Sequence, residues 1–352
     1  MLLLISIGGN QMSFIKFHKS HITVVVLISV VSLGASYAAL QTFSPRSTHD
    51  PAWELYTDLN DAFATHWKAR TGVDINVRPA QSKSGKPVRV VLDGLKVTTL
   101  ALSYDANKLR EENRFIAPAW NYIPSQNMRD VSLHASPYTS TIVFLARKGN
   151  PKKLLDWDDL SRPGIEVVTP NPKISDSGRW NYLAAWGYAL RQPGGGEAAA
   201  PEFVRKLFAN TRSPAAADFI ERGIGDVLLV WENEAHLLVR QTNVEGIDKF
   251  EIITPSMSIV AEPTVSVVNA AADTSGAREV ATAYIDYLYR PQAQDIAGRH
   301  YYRPRDAQAA AKYANQFSSL ELFTVEEVFG SWQQAYKVHF AKNGTLEQIQ
   351  RN

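Results

Sequence analysis

Hydroxyls, glycines and a single indole gather where apolar runs give way to helical patterns. In "VVTPNPKISDSGRWNYLAAWGYAL" (167–190), a β-branched run ends in a Pro-Asn-Pro loop. Ser175, Ser177 and Gly178 then precede an aromatic-rich helix expected from near Arg179. In "QSKSGKP" (81–87), Ser84 and Gly85 stand ahead of a helix with Pro87 at its first position. In "DVLLVWENEA" (226–235), Trp231 closes an apolar strand. The free N–H groups and positive dipole end of a helix start make such junctions cradles for an anion. Serine hydroxyls and an indole N–H add uncharged donors.

Each residue alone also fits a structural role. A serine before a helix is an ordinary N-cap, and Trp231 beside Val-Leu-Leu-Val fits a core. Asp50, near the start of the first helix, reads as a capping acid or as an orienter of donors. Three independent junctions with donors and no dedicated cation tip the balance toward anion capture. Asp176 is the awkward member, because it sets a carboxylate in the middle of one junction.

Catalytic chemistry finds no support, and no catalytic residue is assigned. No His-x-x-x-His or Glu-x-x-His pair offers a metal site, and no Gly-x-Ser-x-Gly elbow offers a nucleophile. "KSGKP" (83–87) lacks the first glycine of a phosphate loop and has Pro87 where Ser or Thr is needed. Glu232 and Glu234 read as first-turn acids that complement a helix dipole, not as an acid/base pair. No cofactor and no metal is expected.

The elements that must position the donors follow from patterning. The first 38 residues hold Lys16 and Lys19, the run "ITVVVLISVVSLGA" and "SYA". This is the layout of a cleavable export signal, with the cut expected after Ala38 and Met12 as an alternative start. The apolar run is shorter than the roughly 20 residues that span a bilayer. With Lys16 and Lys19 removed, the 37 basic residues fall to 35 and balance the 35 acidic ones. A basic footprint for nucleic acid or anionic lipid is therefore absent. No cysteine occurs, which excludes disulfides and thiolate sites. Strands are expected at 74–78, 99–103, 141–147, 165–169, 226–231, 251–254 and 264–268. Helices are expected at 52–70, 87–95, 179–191, 201–210, 232–242 and 276–289. Val280, Ala283, Tyr284, Tyr287 and Leu288 mark one buried face of the last helix. The alternation implies an α/β protein of two lobes with mostly parallel sheets covered by helices. Ligands of such sheets bind where strands pass into helices, and a cleft between lobes is the expected site.

Six blocks carry a resemblance: "YTSTIVFLARKGNPK" (138–152), "VVTPNPK" (167–173), "RWNYLAAWGYAL" (179–190), "FIERGIGDVLLVWENEA" (219–235), "AEPTVSVV" (261–268) and "YRPRDA" (302–307). Together they resemble the periplasmic sulfate- and thiosulfate-binding proteins of bacterial ABC importers, from about Asp50 to the C-terminus. The resemblance implies a type II periplasmic-binding fold with a hinge that closes on the ligand. Lobe I would comprise 39–139 with 264–352, and lobe II 140–263. It also implies a periplasmic monomer that docks on an inner-membrane permease with its ATPase. Its ligand would be a dehydrated sulfur oxyanion held by neutral donors, which carry over to Asp50, Ser84, Gly85, Ser175 and Trp231. Asp176 and Ser177 occupy the same loop and complete the candidate set. A pocket of donors alone rejects hydrogen phosphate, whose proton would find no acceptor.

The departures lie around the expected pocket. The family usually reads Ser-Gly-Gly-Ala-Arg-Trp where this chain reads Ser175-Asp176-Ser177-Gly178-Arg179-Trp180. The segment before Phe219 is about six residues short, and the loop around Ser84 lacks paired glycines. A carboxylate about 4 Å from a sulfate, at an effective dielectric near 20, costs on the order of 4 kcal/mol, roughly a thousandfold in affinity. An outward Asp176 capping the helix at 178–191 is therefore preferred. Two other readings stay open at this point. Asp176 could supply the acceptor that another oxyanion such as phosphate requires, or the fold could serve as an envelope scaffold or sensor.

Overall fold

The computed structural model describes residues 25–30, 51–79, 99–102, 136–196, 198–213, 215–243, 246–267 and 278–351. Its strands and helices assemble around two sheets. The smaller sheet contains β1 (Val25–Val30), β2 (Asn76–Pro79), β3 (Thr99–Leu102) and β10 (Thr264–Val267) in the order β10-β3-β1-β2. β1 runs parallel to both β2 and β3, and β10 closes the edge antiparallel to β3. The apolar stretch expected to be cleaved thus supplies the strand between β2 and β3. A β-branched run such as "VVLISV" suits an export signal and a parallel-sheet strand equally, so pattern alone does not separate the two.

The larger sheet is ordered β12-β9-β4-β7-β5-β6, with further strands β8 and β11 on β4. Its members are β4 (Tyr138–Arg147), β5 (Val167–Val168), β6 (Thr211–Ser213), β7 (Val227–Trp231), β8 (Phe250–Ile253), β9 (Met257–Ala261), β11 (Arg303–Pro304) and β12 (Glu321–Phe323). β5 is parallel to β6 and β7, and β12 is parallel to β9. β4 runs antiparallel to β7, β8, β9 and β11. The sheets are therefore mixed, where mostly parallel ones were expected. The cause is the long β4, which fills the centre of the larger sheet in the reverse direction.

The smaller lobe packs around α1 (Pro51–Thr71), whose Leu55, Leu59 and Phe63 recur at four-residue spacing and are fully buried. Against it lie Tyr284, Tyr287 and Leu288 of α7 (Arg278–Leu288) and Ile296 of α8 (Pro291–Arg299). The larger sheet is covered on both faces. One face carries α3 (Asp176–Arg191) and α4 (Ala199–Ala209); the other carries α5 (Ala216–Ile220) and α6 (Glu232–Thr242). The short α2 (Trp157–Leu160) and α9 (Ala307–Tyr313) complete the set before the C-terminal segment. There, β12 is followed by α10 (Val325–Phe329), α11 (Trp332–Ala335) and α12 (Thr345–Arg351). Phe323, Val325, Phe329, Leu346 and Ile349 all join the core of the larger sheet. From β12 onward the chain thus packs on the larger sheet. Among the described residues no helix is long and apolar enough to cross a membrane.

Candidate functional site

Four of the seven expected site residues lie among the described residues: Ser175, Asp176, Ser177 and Trp231. Asp50, Ser84 and Gly85 lie outside them.

The loop before α3 is built by its own hydrogen bonds. Asn171 Oδ1 accepts from the Lys173 N–H at 2.9 Å, and Asn171 O accepts from the Ser175 N–H at 2.9 Å. α3 begins at Asp176, three residues earlier than expected, because Ser175 is the N-cap. Its Oγ accepts from the Gly178 N–H at 3.2 Å and leaves its own proton to give. The start of the helix presses against the Pro-Asn-Pro loop so closely that a Cβ on Gly178 would sit 2.9 Å from the Asn171 carbonyl carbon. Glycine is required there by close approach. The family pattern places alanine at that position, so the two added side chains at 176 and 177 coincide with one lost at 178.

Arg179 fixes the same loop from inside. It is buried, with Nε donating to Pro172 O at 2.9 Å and Nη2 to Lys173 O at 3.2 Å. Its Nη1 donates to Asp176 Oδ1 at 3.2 Å. Asp176 therefore does not cap the helix, as had been expected of an outward rotamer; it sits in the first turn and its charge is offset by a buried guanidinium. The sequence marks Arg179 only as an expected helix start, and its anchoring role has no signal in spacing.

Ser177 is the second residue of α3 and is 4 % exposed, and its Oγ has no hydrogen-bond partner. Trp231 ends β7, stands at the N-cap position of α6, and is 2 % exposed with its indole N–H likewise unpartnered. Its ring meets Trp180 edge-on with centroids 5.9 Å apart, so the core-packing reading of this tryptophan holds for the ring while the N–H stays unspent. Ser177 and Trp231 line one cavity with Pro170, Ala216 and Glu234. The structure thus brings together the α3 and α6 junctions that the sequence separates by about 55 residues. Asn181 holds them in register, donating to Thr169 Oγ1 at 2.9 Å and to Leu229 O at 3.2 Å.

Behind Trp231, the first turn of α6 is tied to the rest of the molecule. Glu232 pairs with Arg303 through two bonds of 2.6 and 2.7 Å. Burial pushes the Glu232 carboxyl up from its ordinary range, and Arg303 pulls it partly back. Ser140 Oγ donates to Asn233 Oδ1 at 2.7 Å. His236 stacks on Tyr301 with centroids 4.9 Å apart, and burial, then Arg303, push its imidazole down. The reading of Glu232 as a simple dipole acid misses this ion pair, because its partner is 71 residues away. Among the described residues the arrangement sets buried donors beside a helix start, a setting that can hold an anion.

A family model described as bacterial extracellular solute-binding protein matches residues 54–303. The sulfate-binding protein of Escherichia coli K12 is 49 % identical over 312 residues, covering 86 % of this chain and 92 % of that protein. The thiosulfate-binding protein of Pseudomonas aeruginosa is 38 % identical over 90 % of this chain and 94 % of its own length. Among solved structures, the sulfate-binding protein SubI from Mycobacterium tuberculosis H37Rv superimposes with a TM-score of 0.63 at 26 % identity, covering 90 % of this chain and 99 % of that one.

Proposed function

We propose, from the fact that this chain belongs to the sulfate- and thiosulfate-binding family of bacterial extracellular solute-binding proteins, that it is the sulfate-binding component of an ABC importer. The observation that carries the reading is the Trp231 indole N–H, buried without a partner beside the start of α3. An unpartnered buried donor costs free energy unless a ligand or water meets it, and this one stands where a helix start offers further donors to the same anion. Ser175 adds a hydroxyl proton, and the first N–H groups of α3 add the dipole end. Asp50, Ser84 and Gly85 would close on the ligand from the other lobe. The protein works in the periplasm as a monomer and hands its ligand to a permease and its ATPase. Thiosulfate shares the donor requirement and is the second ligand. No bond is made or broken.

Titration of the purified protein with sulfate and thiosulfate, followed by heat and intrinsic tryptophan fluorescence, tests this. Saturable binding is expected, and Trp231→Phe should weaken it by roughly 10- to 100-fold, the worth of one hydrogen bond to a charged group. No response to millimolar sulfate or thiosulfate would end the assignment.

A further inference from the structure

We propose that the Ser177 hydroxyl widens the ligand class of this site to oxyanions that retain one proton; the inference rests on the anion-binding reading above. Two residues that line one small space each carry a buried polar atom without a partner: Ser177 Oγ and Trp231 Nε1. The cavity between the start of α3, the end of β7 and α6 measures about 10 Å³, room for one oxygen-sized group and not for a whole tetrahedral anion. One vertex of the ligand would enter it. The two groups differ in kind. An indole N–H can only donate, whereas a hydroxyl both donates and accepts.

A bare oxygen of a dianion is satisfied there by accepting from both. A hydroxyl of a protonated oxyanion is satisfied equally well, accepting from Trp231 and donating its proton to Ser177 Oγ. With glycine at 177, as in the family pattern, the Ser177 oxygen would be missing and the Trp231 N–H could not take that proton, so the protonated ligand would be disfavoured. Asp176, the acceptor that the sequence offered for this task, is engaged by Arg179 at 3.2 Å. Specificity for unprotonated dianions is relaxed at one position, by one hydroxyl.

Hydrogen phosphate is the simplest probe. Calorimetric titrations of the wild type, Ser177→Ala and Ser177→Gly with sulfate and with phosphate, run in parallel at one pH, form the test. The wild type is expected to bind both anions. Both variants should weaken both anions, sulfate by the loss of one donor and phosphate by roughly tenfold more, because its proton is also left without an acceptor. Sulfate binding without phosphate binding in the wild type would overturn the proposal and leave the sulfate reading standing. Equal weakening of both anions would overturn it by making Ser177 a plain donor. Variants that change neither anion would overturn it too, with the cavity holding a water only. Failure of both anions on the wild type would remove the proposal together with the sulfate reading beneath it.

Discussion

The two cores of this molecule handle buried polar atoms in different ways. In the core around α1 neutral hydroxyl and amide groups pair with each other, while Asn60 Nδ2 and Trp67 Nε1 have no partner among the described residues. Tyr138 donates to the Tyr56 hydroxyl at 2.8 Å and Tyr284 donates to Asn60 Oδ1 at 2.8 Å, all fully or nearly fully buried. Burial pushes the Tyr56 phenol up to about 12, so it stays protonated across the physiological range. The core of the larger sheet instead encloses an imidazole. His339 sits edge-on to Trp186 and Phe329, with its Nδ1 3.0 Å from the Tyr182 hydroxyl. Burial pushes it down to about 4. The lobe that carries the described donors thus buries a group whose protonation opposes its folding in acid.

The comparison breaks most sharply where the two regions are tied. Arg303 of β11, which pairs with the start of β4, holds the buried Glu232 of α6. Arg303→Met would strand a carboxylate of which only 2 % of the side chain is exposed. The expected loss is about 3–5 kcal/mol in urea unfolding at neutral pH, shrinking as the pH falls and Glu232 protonates. The double variant Glu232→Gln/Arg303→Met should recover most of it. A single variant within about 1 kcal/mol of the wild type would show that the junction is held by packing instead.

Acid sharpens the contrast. Below its ordinary 6.5 an unfolded His339 takes a proton that the folded protein refuses until about pH 4. Stability from this residue is fully present above pH 6.5 and is lost as the pH falls toward 4, by about 3 kcal/mol in total. His339→Gln should lower stability at pH 7 yet flatten its slope between pH 6.5 and 4, read from melting temperatures across that window. An unchanged slope would place the acid-sensitive group elsewhere.

How far the sequence announced these features depended on range. α6 was expected at 232–242 and forms there, since an acidic first turn and a basic last turn bracket one apolar stripe. The face of Val280, Ala283, Tyr284, Tyr287 and Leu288 was equally plain; it is buried except at Ala283, which is half-buried against the same core. β9 and β12 went unseen. Three residues such as Glu321–Phe323 are too few to show a period of two, and their place beside β9 is decided by partners far along the chain. The direction of β4 was hidden for a related reason, because an apolar run reads alike in either orientation. At the site, Ser175 was legible as cap and as donor and is placed to be both. Ser177, taken for another cap, proves to be a helix residue that lines a cavity. Local pattern names such residues; only the crossing of α3 over β7 shows what they face.

The smallest effect concerns Asp176, and it separates a charge from its consequence. An uncompensated carboxylate beside the ligand would weaken sulfate by roughly a thousandfold. Here Arg179, itself fixed by two loop carbonyls, stands 3.2 Å from that carboxylate, so the pair presents nearly no net charge to the start of α3. Asp176→Asn removes the charge and preserves the shape. It should therefore change sulfate affinity by less than about tenfold, with the arginine still held by Pro172 and Lys173. A gain of two or three orders of magnitude would mean that the ion pair opens when the lobes close, and that this lobe binds its anion against a carboxylate. The size of that one ratio decides whether the departure from the glycine pair is a defect in the site or a rebuilt wall of it.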